Sequence, residues 1–319
     1  IIDIYAFFLY NIFIMEDLKR YNHLNEYLKN KFGERTLKIC VDGGFTCPNR
    51  DGTLGRGGCI YCSQKGSGEL INCNSSITDQ VKHYFTTYRA QRANKFIVYF
   101  QNFTNTYDTI ENLKQKYDSA LIDDRIVGLS IGTRPDCINE DIVKLLKSYT
   151  DKYYVCVELG LQTSNDKIGN LINRCYTSSQ FTQAVEILNK YNIDVIAHIM
   201  VGLPTETKQD IMNTVNFVNS HKLQGIKIHS TYVVENTKLA DMYKEGEYKA
   251  LDLDDYIETL IDIITHLNPN FIIHRISGDA PKDILVAPYW NAHKMWILHG
   301  FEKRFYARDL WQGKYYEEN

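Results

Sequence analysis

Residues 47 to 62 read CPNRDGTLGRGGCIYC, a stretch that holds three cysteines, four glycines and one tyrosine. Eleven residues separate Cys47 from Cys59, whereas only two separate Cys59 from Cys62. Cysteines at such short spacing are typical of a metal or cluster site. Three thiolates from one loop can bind three irons of a [4Fe-4S] cluster and leave the fourth iron open to another ligand.

The cysteine spacing leaves two other interpretations open. A structural zinc site would take Cys40 or Cys73 as its fourth thiolate. Alternatively, Cys59 and Cys62 would form a redox dithiol. In the cluster interpretation, we expect the four glycines to let the loop turn tightly and present N–H groups to the sulfur atoms.

Strands and helices alternate on both sides of this loop. The run LKICV, residues 37 to 41, alternates apolar and polar residues directly before it. Parallel strands joined by helical crossovers are the expected architecture, and active sites in such folds lie at the C-terminal ends of the strands. The further strand-like runs are KFIVYF, RIVGLSI, YYVCVELGL, IDVIAHIMVGL, GIKIHSTYV and FIIHRIS, and the helical ones are NEDIVKLLKSY, SSQFTQAVEILNKY, TKQDIMNTVNFVNS and LDDYIETLIDIITHL.

Composition limits the classes of protein. A chain of 319 residues with 44% hydrophobic content buries roughly three quarters of its unfolded surface, so its eight cysteines are not needed as disulfides. We therefore expect a reducing, cytoplasmic compartment. The net charge of -3 gives no overall basic field, so contact with nucleic acid would depend on local patches.

The N-terminal run IIDIYAFFLYNIFIM is apolar but is interrupted by Asp3 and Asn11. It lacks a basic flank and a cleavage site, so we predict neither a signal peptide nor a membrane span. We expect translation to start at Met15; the alternative is an N-terminal strand or helix docked on the body. A helix then follows and ends at Gly33, because apolar residues recur at helical spacing at Leu18, Tyr21, Leu24, Leu28 and Phe32.

Motifs further along the chain favour one interpretation of the cysteines. Tyr61 precedes the third cysteine, and four motifs follow in order: LSIGTRPD (129–136), VELGLQTSND (157–166), LINRCYT (171–177) and HIMVGLPTET (198–207). Together they resemble the radical S-adenosylmethionine (SAM) superfamily, in the branch of the Elongator catalytic subunit and coproporphyrinogen dehydrogenase. The long first cysteine gap and the segments 276–290 and 309–316 resemble the YhcC/YtqA (MnmL-type) subgroup.

The resemblance implies a fold and domain boundaries. The fold would be a partial (β/α)6-type TIM barrel with a short N-terminal helix and a C-terminal extension. Residues 1–34 would form the N-terminal segment, 35–235 the barrel core, and 236–319 an extension that packs on the barrel and contributes to substrate binding.

The resemblance also implies the cofactor contacts. Cys47, Cys59 and Cys62 would bind a [4Fe-4S] cluster, and SAM would chelate its fourth iron. Gly132 stands where many relatives have glutamate, and the usual Gly-Gly-Glu after the second strand is absent. The implied SAM contacts are Tyr61 at the adenine, Gln101 at the amino group, Glu158 as a further polar contact, Gln162 at the ribose and Arg174 at the carboxylate.

The implied chemistry is oxygen-sensitive radical catalysis. One electron from a flavodoxin or ferredoxin would cleave SAM to methionine and a 5′-deoxyadenosyl radical. The implied substrate is the tRNA wobble uridine in the anticodon loop, whose 5-carboxymethylaminomethyl group would become 5-aminomethyl. The alternatives are a radical SAM enzyme acting on a small molecule and a non-catalytic, zinc-stabilised RNA-binding protein.

Several other residues receive weaker interpretations. His198 and His229 are interpreted as core histidines, and Cys137, Cys156 and Cys175 as buried small apolar residues. The segment 202–204, GLP, resembles the wall of the SAM adenine site. Two groups suit RNA phosphates and bases: Lys19, Arg20, Lys29, Lys31, Arg35 and Lys38 near the start, and Trp290, Lys294, Trp296, Lys303, Arg304, Tyr306, Arg308 and Trp311 near the end.

Overall fold

The computed structural model describes residues 20–66, 71 and 75–318. Its centre is one sheet of seven parallel strands that follow each other in chain order. The strands are β1 (Thr36–Val41), β2 (Lys95–Phe100), β3 (Ile126–Thr133), β4 (Tyr154–Gln162), β5 (Asp194–Val201), β6 (Gly225–Ser230) and β8 (Ile272–Arg275). A separate antiparallel pair joins β7 (Val233–Val234) to β9 (Leu285–Ala287).

Helices connect the parallel strands and cover the outside of the sheet. The predicted alternation of strands and helices is confirmed, because every strand-like and helical run lying within the described residues forms the expected element. The helices are α1 (Leu24–Phe32), α2 (Ile77–Thr86), α3 (Ile110–Asp118), α4 (Glu140–Tyr149), α5 (Asp166–Leu171), α6 (Ser178–Lys190), α7 (Lys208–Asn219), α8 (Lys238–Lys244), α9 (Leu253–His266) and α10 (Lys294–Ala307).

The main apolar core lies between the sheet and its helices. Outward-facing strand residues such as Val98, Leu129 and Val157 are fully buried against it. Adjacent residues along a strand point to opposite faces, so the alternate set of side chains faces the inside of the curved sheet. That inner set includes the polar residues Lys38, Glu158, His198 and Lys227, which line the inside of the barrel.

Helix α1 lies between the two edge strands of the open barrel and contacts both β1 and β8. The backbone N–H of Ile273 in β8 donates to the carbonyl of Asn22, at 2.8 Å. Gly33 ends α1 in the left-handed conformation at φ 78°, as the sequence predicted. Leu18, Met15 and the apolar run before them lie outside the described residues.

The predicted C-terminal extension contributes to the sheet as well as packing on it. Strand β8 lies within residues 236–319 and pairs with β6, so it forms a seventh parallel strand beyond the six-strand type. Helices α9 and α10 then pack against each other. None of the helices in the described part of the chain combines the length and apolar character needed to cross a bilayer.

Candidate functional site

A cavity of about 1110 Å³ occupies the inside of the barrel. The cysteine loop leaves β1 at the C-terminal end of the sheet, which is where the sequence placed the site. Seven of the eight predicted site residues line this one cavity: Cys47, Cys59, Tyr61, Cys62, Gln101, Glu158 and Gln162. The eighth, Arg174, lies behind its wall.

The cysteine loop is folded by hydrogen bonds within its own backbone. The N–H of Arg50 donates to the carbonyl of Cys47 at 2.8 Å, and the N–H of Cys62 donates to that of Cys59 at 3.0 Å. The N–H groups of Gly55 and Gly58 donate to the carbonyls of Pro48 and Asn49. The N–H of Gly52 also donates within the loop, to the carbonyl of Gly55, so the expectation that the glycines present N–H groups to sulfur is wrong for Gly52, Gly55 and Gly58 and stays a prediction for Gly57.

Space explains two of the glycines instead. A Cβ at Gly55 would lie 2.4 Å from Asn49 Oδ1, and one at Gly58 would lie 2.8 Å from Arg50 Nε. Gly58 also has φ +80°, a backbone conformation that side chains disfavour. The loop therefore needs glycine at both positions, because it closes around the side chain of Asn49 at Gly55 and around that of Arg50 at Gly58.

The cysteine thiols lie among hydrogen-bond donors. Asn49 Nδ2 lies 3.8 Å from Cys59 Sγ, and the Tyr61 hydroxyl also bonds to that sulfur. The guanidinium of Arg134 lies 4.0 Å from Cys47 Sγ. Burial, followed by the neighbouring Cys62, raises the pKa of the Cys59 thiol to about 12. Donors of this kind stabilise sulfur that carries negative charge, as in a cluster ligand.

Cys175 belongs to the same network. Its Sγ donates to Asn49 Oδ1 at 3.1 Å, and Asn49 Nδ2 donates to the carbonyl of Asn173 at 2.5 Å. The interpretation of Cys175 as a buried apolar residue is therefore wrong, since it is only half-buried and makes polar contacts. Cys156 is buried as expected, whereas Cys137 is half-buried.

The end of β4 turns sharply at Gln162, which has φ 67°. The Tyr176 hydroxyl donates to the carbonyl of Gly160 at 2.7 Å and fixes this strand end. A Cβ at Gly160 would lie 2.7 Å from Gln162 Nε2, so glycine leaves room for the glutamine amide beside the strand. Gln162 thereby enters the wall of the cavity that Gln101 and Tyr61 also line.

Arg174 has protein partners instead of the predicted exposure to a ligand. Its side chain is fully buried, and its Nη1 donates to the carbonyls of Leu161 and Thr163, both at 2.6 Å. Its Nε donates to the carbonyl of Tyr176 at 2.9 Å, and its Nη2 pairs with Asp166 at 2.7 Å. In this arrangement Arg174 holds the backbone around Gln162, so it is a positioning residue.

Glu158 also has a full set of protein partners. Its Oε1 accepts from Lys38 Nζ and Ser130 Oγ, both at 2.6 Å, and its Oε2 accepts from His198 Nε2 at 2.8 Å and from Lys227 Nζ. Burial opposes ionisation, but Lys227 and Lys38 outweigh it and hold the pKa of Glu158 well below its usual range. We refer to these five residues as the inner cluster: Lys38, Ser130, Glu158, His198 and Lys227.

The two strand histidines lie at the cavity and not in an apolar core. His198 belongs to the inner cluster, and the ring of His229 lies 5.2 Å from it. Burial, then Lys227, lowers the pKa of His198 to about 4, so it is neutral at physiological pH. The interpretation of both as core histidines is therefore wrong.

Cys40, one candidate for a fourth zinc ligand, also faces the cavity and lies near Lys227, Lys38 and Arg275. Burial raises the pKa of its thiol. The other candidate, Cys73, lies outside the described residues. Within residues 20–66, 71 and 75–318, no three Cys, His, Asp or Glu side chains are grouped closely enough to hold a metal ion.

Family models match two consecutive parts of the chain. The model of the radical SAM superfamily matches residues 47–218, which begin at the first cysteine of the loop. The chain belongs to the radical SAM superfamily. A model of the radical SAM C-terminal domain matches residues 223–307. Members of this superfamily bind a [4Fe-4S] cluster and SAM, and the predicted cofactors are thereby confirmed for this radical SAM enzyme.

Full-length relatives share most of the chain. The uncharacterized protein YtqA of Bacillus subtilis (strain 168) is 38% identical over 94% of each chain. Protein YhcC of Escherichia coli (strain K12) is 35% identical over 86% of this chain and 89% of its own. The predicted subgroup is confirmed.

Other relatives are longer than this radical SAM enzyme. A tRNA uridine(34) acetyltransferase of Methanocaldococcus jannaschii is 30% identical over 51% of this chain, which spans 30% of that protein. The structure of Elp3 from Methanocaldococcus infernus superposes with a TM-score of 0.67 at 18% identity, covering 87% of this chain and 64% of its own. That likeness confirms the barrel fold.

The structure adds Arg134 to the site of this radical SAM enzyme. Arg134 pairs with Asp136 through two hydrogen bonds of 2.9 and 2.7 Å, and its guanidinium lies over the ring of Tyr176. Its position in LSIGTRPD, at the C-terminal end of a barrel strand, was the available signal. Sequence reasoning treated that motif as a family marker and assigned its arginine no role.

The predicted RNA-binding groups are only partly exposed. Lys38 lies inside the barrel, Arg20 pairs with Asp309 at 2.6 Å, and Lys19 lies outside the described residues. Arg304 and Arg308 both pair with Glu258, and Trp290 is buried against Tyr256. Lys294, Trp296, Lys303 and Trp311 remain exposed.

Proposed function

We propose that this radical SAM enzyme acts on the wobble uridine of tRNA and converts 5-carboxymethylaminomethyl-(2-thio)uridine to its 5-aminomethyl form. Relatives that align over half of this chain are named for chemistry at tRNA uridine 34. An anticodon-loop base is single-stranded and can be splayed into a cavity at modest cost. The observation that carries the proposal is a group of aromatic side chains, which we call the aromatic rim, around Lys294, a residue that lines the cavity.

This aromatic rim consists of Tyr289, His293 and Trp296. The rings of His293 and Trp296 stack at 4.2 Å with an angle of 13°, and Tyr289 lies 4.7 Å from His293. Tyr289 is 70% exposed and Trp296 is 49% exposed. Lys294, between them in sequence, lines the cavity itself. Exposed rings beside a cation are suited to unstacked bases and the adjoining phosphate.

The cofactor residues that we propose are those on the cavity wall. Cys47, Cys59 and Cys62 hold the cluster, and Tyr61, Gln101 and Gln162 contact SAM. The bound cofactors supply a radical that removes hydrogen from the substrate, with an electron from a flavodoxin or ferredoxin. Residues of all seven parallel strands line the cavity in which this chemistry would take place.

Two predicted SAM contacts are revised in this proposal. Arg174 fixes the turn at Gln162 through the carbonyls of Leu161 and Thr163. Glu158 holds the two lysines of the inner cluster and shapes the deep end of the cavity. Both residues act through neighbouring groups. The cation beside the proposed cluster site is Arg134, whose guanidinium lies 4.0 Å from Cys47 Sγ.

The test is wobble-base conversion in vitro. Anaerobically reconstituted enzyme, SAM and a reductant are incubated with tRNA from a strain that lacks the gene, and the wobble nucleosides are identified by mass spectrometry. We expect loss of the carboxymethylaminomethyl form and gain of the aminomethyl form. Unchanged nucleosides in a preparation that still forms 5′-deoxyadenosine would contradict the substrate.

The aromatic rim is tested by titrating Trp296→Ala and wild type with the same tRNA and comparing their affinities. Loss of one stacking ring weakens tRNA binding by roughly tenfold, since a stacked base contributes about 1–3 kcal/mol. Tyr243→Ala is the matched control, because Tyr243 is also an exposed ring, at 37%, but lies on α8 and outside both predicted RNA-binding groups. Equal affinities for the two variants would argue against the rim as the RNA contact.

A further inference from the structure

Two lysine ammonium groups lie deep inside the barrel and share one carboxylate. Lys38 of β1 and Lys227 of β6 approach Glu158 of β4 from opposite sides. Their side chains are 16% and 7% exposed, and both line the cavity. Lys38 precedes the end of β1 by three residues, so the pair lies about 10 Å below the strand ends, at roughly 3.3 Å a residue.

The charges of the inner cluster do not balance. Lys38 and Lys227 contribute two positive charges and Glu158 contributes one negative charge. The nearby Arg275 pairs with Asp279 at 2.8 Å, and burial lowers the pKa of the neighbouring histidines His198 and His229. One net positive charge therefore remains in a buried place, where an unpaired charge is costly.

Hydrogen-bond donors are also in excess. An ammonium group carries three N–H donors, and among the described residues Lys227 makes one hydrogen bond, to Glu158. Lys227 Nζ also lies 4.3 Å from the centre of the Tyr99 ring. His229 Nε2 is buried without a hydrogen-bond partner in the described part of the chain. The N–H groups of Lys227 that make no hydrogen bond within the described residues lie on the wall of the cavity, which Lys227 lines.

We propose that Lys38 and Lys227, held apart by Glu158, form a subsite that binds a carboxylate group of the substrate. A carboxylate carries the single negative charge that the inner cluster lacks, whereas a phosphate monoester carries about two. Its two oxygens accept from the N–H groups of Lys227 and Lys38 that are not bonded to Glu158 or Ser130. Glu158 keeps the two lysines charged and apart in the absence of substrate.

The depth of the subsite selects the shape of the substrate. The cysteine loop lies above the strand ends, and the inner cluster lies about 10 Å below them. A substrate bound there reaches inward with a carboxylate at the end of a slender arm, while the rest of the molecule stays near the rim. In this respect the inference rests on the proposed function, because the carboxymethylaminomethyl group ends in such a carboxylate.

The subsite is tested without RNA. The midpoint of thermal unfolding of reconstituted, SAM-bound enzyme is measured with glycolate and with its neutral amide, glycolamide. We expect glycolate to raise the midpoint by roughly 2–4 °C more than glycolamide. Lys227→Met and Lys38→Met should abolish this difference. Lys144→Met, whose side chain is 60% exposed on α4, should keep it.

The variants are chosen so that folding does not obscure the result. Methionine matches the length of lysine, and removing one lysine leaves Glu158 paired with the other. The proposal is overturned if wild type does not distinguish glycolate from glycolamide, or if both methionine variants still do.

A second measurement separates this inference from the proposed function. With tRNA that carries the carboxylated wobble base, Lys227→Met should raise KM at least about tenfold while uncoupled formation of 5′-deoxyadenosine continues. If glycolate is preferred but tRNA is not converted, the subsite stands and the tRNA proposal fails. If tRNA is converted without any preference for glycolate, the subsite fails and the tRNA proposal stands.

Discussion

The cysteine loop and the inner cluster lie in the same cavity but are encoded in opposite ways. The three thiols and the tyrosine of the loop lie within 16 consecutive residues, 47 to 62. The inner cluster collects single residues from five different strands, from Lys38 to Lys227. A site contained in one loop can be recognised from spacing, whereas a site assembled across a sheet can be recognised only once strand register is known.

The largest expected effect separates the loop thiols from the strand thiols. Cys59→Ala removes one of three cluster ligands, so iron, sulfide and the broad absorption near ~400 nm should be lost, together with SAM cleavage. Cys156→Ala is the matched control, because Cys156 is a buried strand thiol 3.3 Å from Ser130 Oγ. We expect about four irons per chain in wild type and in the control after anaerobic reconstitution.

The outcome that would contradict this assignment is a zinc protein. One zinc per chain, no sulfide and an unchanged metal content in Cys59→Ala would remove the cluster from the loop. If Cys156→Ala also lost iron, the cluster would depend on a strand thiol as well as on the thiols of the loop, which would contradict the assignment.

Most of the fold could be predicted from the sequence because its signals are local. Runs such as KFIVYF and IDVIAHIMVGL have the apolar character of buried parallel strands, and the helices between them have helical periodicity. The seventh strand was predicted as a strand but was assigned to an extension, since its pairing with β6 depends on register. The role of α1 between β1 and β8 depends on tertiary contacts, which the periodicity of the helix does not reveal.

The sequence predicted the site residues whose positions depend on their own motif. It did not predict the positions of residues that depend on partners far away in the sequence. Tyr61 and Gln162 reach the cavity wall as expected. Arg174 does not, because the carbonyls at the end of β4 accept its donors first. Lys38 was grouped with the cations predicted to contact RNA, since nothing in LKICV shows that Glu158, 120 residues later, would face it.

The second prediction concerns the stability of the protein, which depends on the inner cluster. Glu158→Gln leaves two buried ammonium groups without a counter-charge, so the free energy of unfolding should fall by about 3–5 kcal/mol. Lys227→Met should cost less, because the pair of Lys38 and Glu158 remains intact. Chemical denaturation of the cluster-free protein measures both, and Glu140→Gln, at an exposed pair with Lys190, is the matched control.

The two possible outcomes for Glu158→Gln lead to different conclusions about the inner cluster. A large loss in Glu158→Gln alone means that Glu158 is the structural centre of the inner cluster and that the lysines are available to a ligand. If Glu158→Gln were as stable as Glu140→Gln, the lysines would be deprotonated or paired with another anion. The charge imbalance on which the carboxylate subsite depends would then be absent.

The smallest expected effect is a pH dependence that belongs to the inner cluster and not to the loop. Burial lowers the pKa of Lys227 to about 8, although Glu158 opposes the shift, while the pKa of Lys38 is raised because Glu158 outweighs its burial. Lys227 is therefore charged below pH 8 and loses its proton above it, and carboxylate binding should weaken as the pH rises. From pH 7 to pH 9 the affinity for glycolate should fall by about tenfold.

The other titratable groups that face Lys227 keep the same charge between pH 7 and pH 9. The pKa of Glu158 is far below its usual range, that of His198 is about 4, and those of Tyr99 and Cys40 are raised by burial. The affinity is measured by glycolate titration at each pH, with glycolamide as the neutral reference. A tenfold loss that vanishes in Lys227→Met assigns the titration to Lys227, whereas an unchanged affinity at pH 9 would place the bound carboxylate on Lys38 alone.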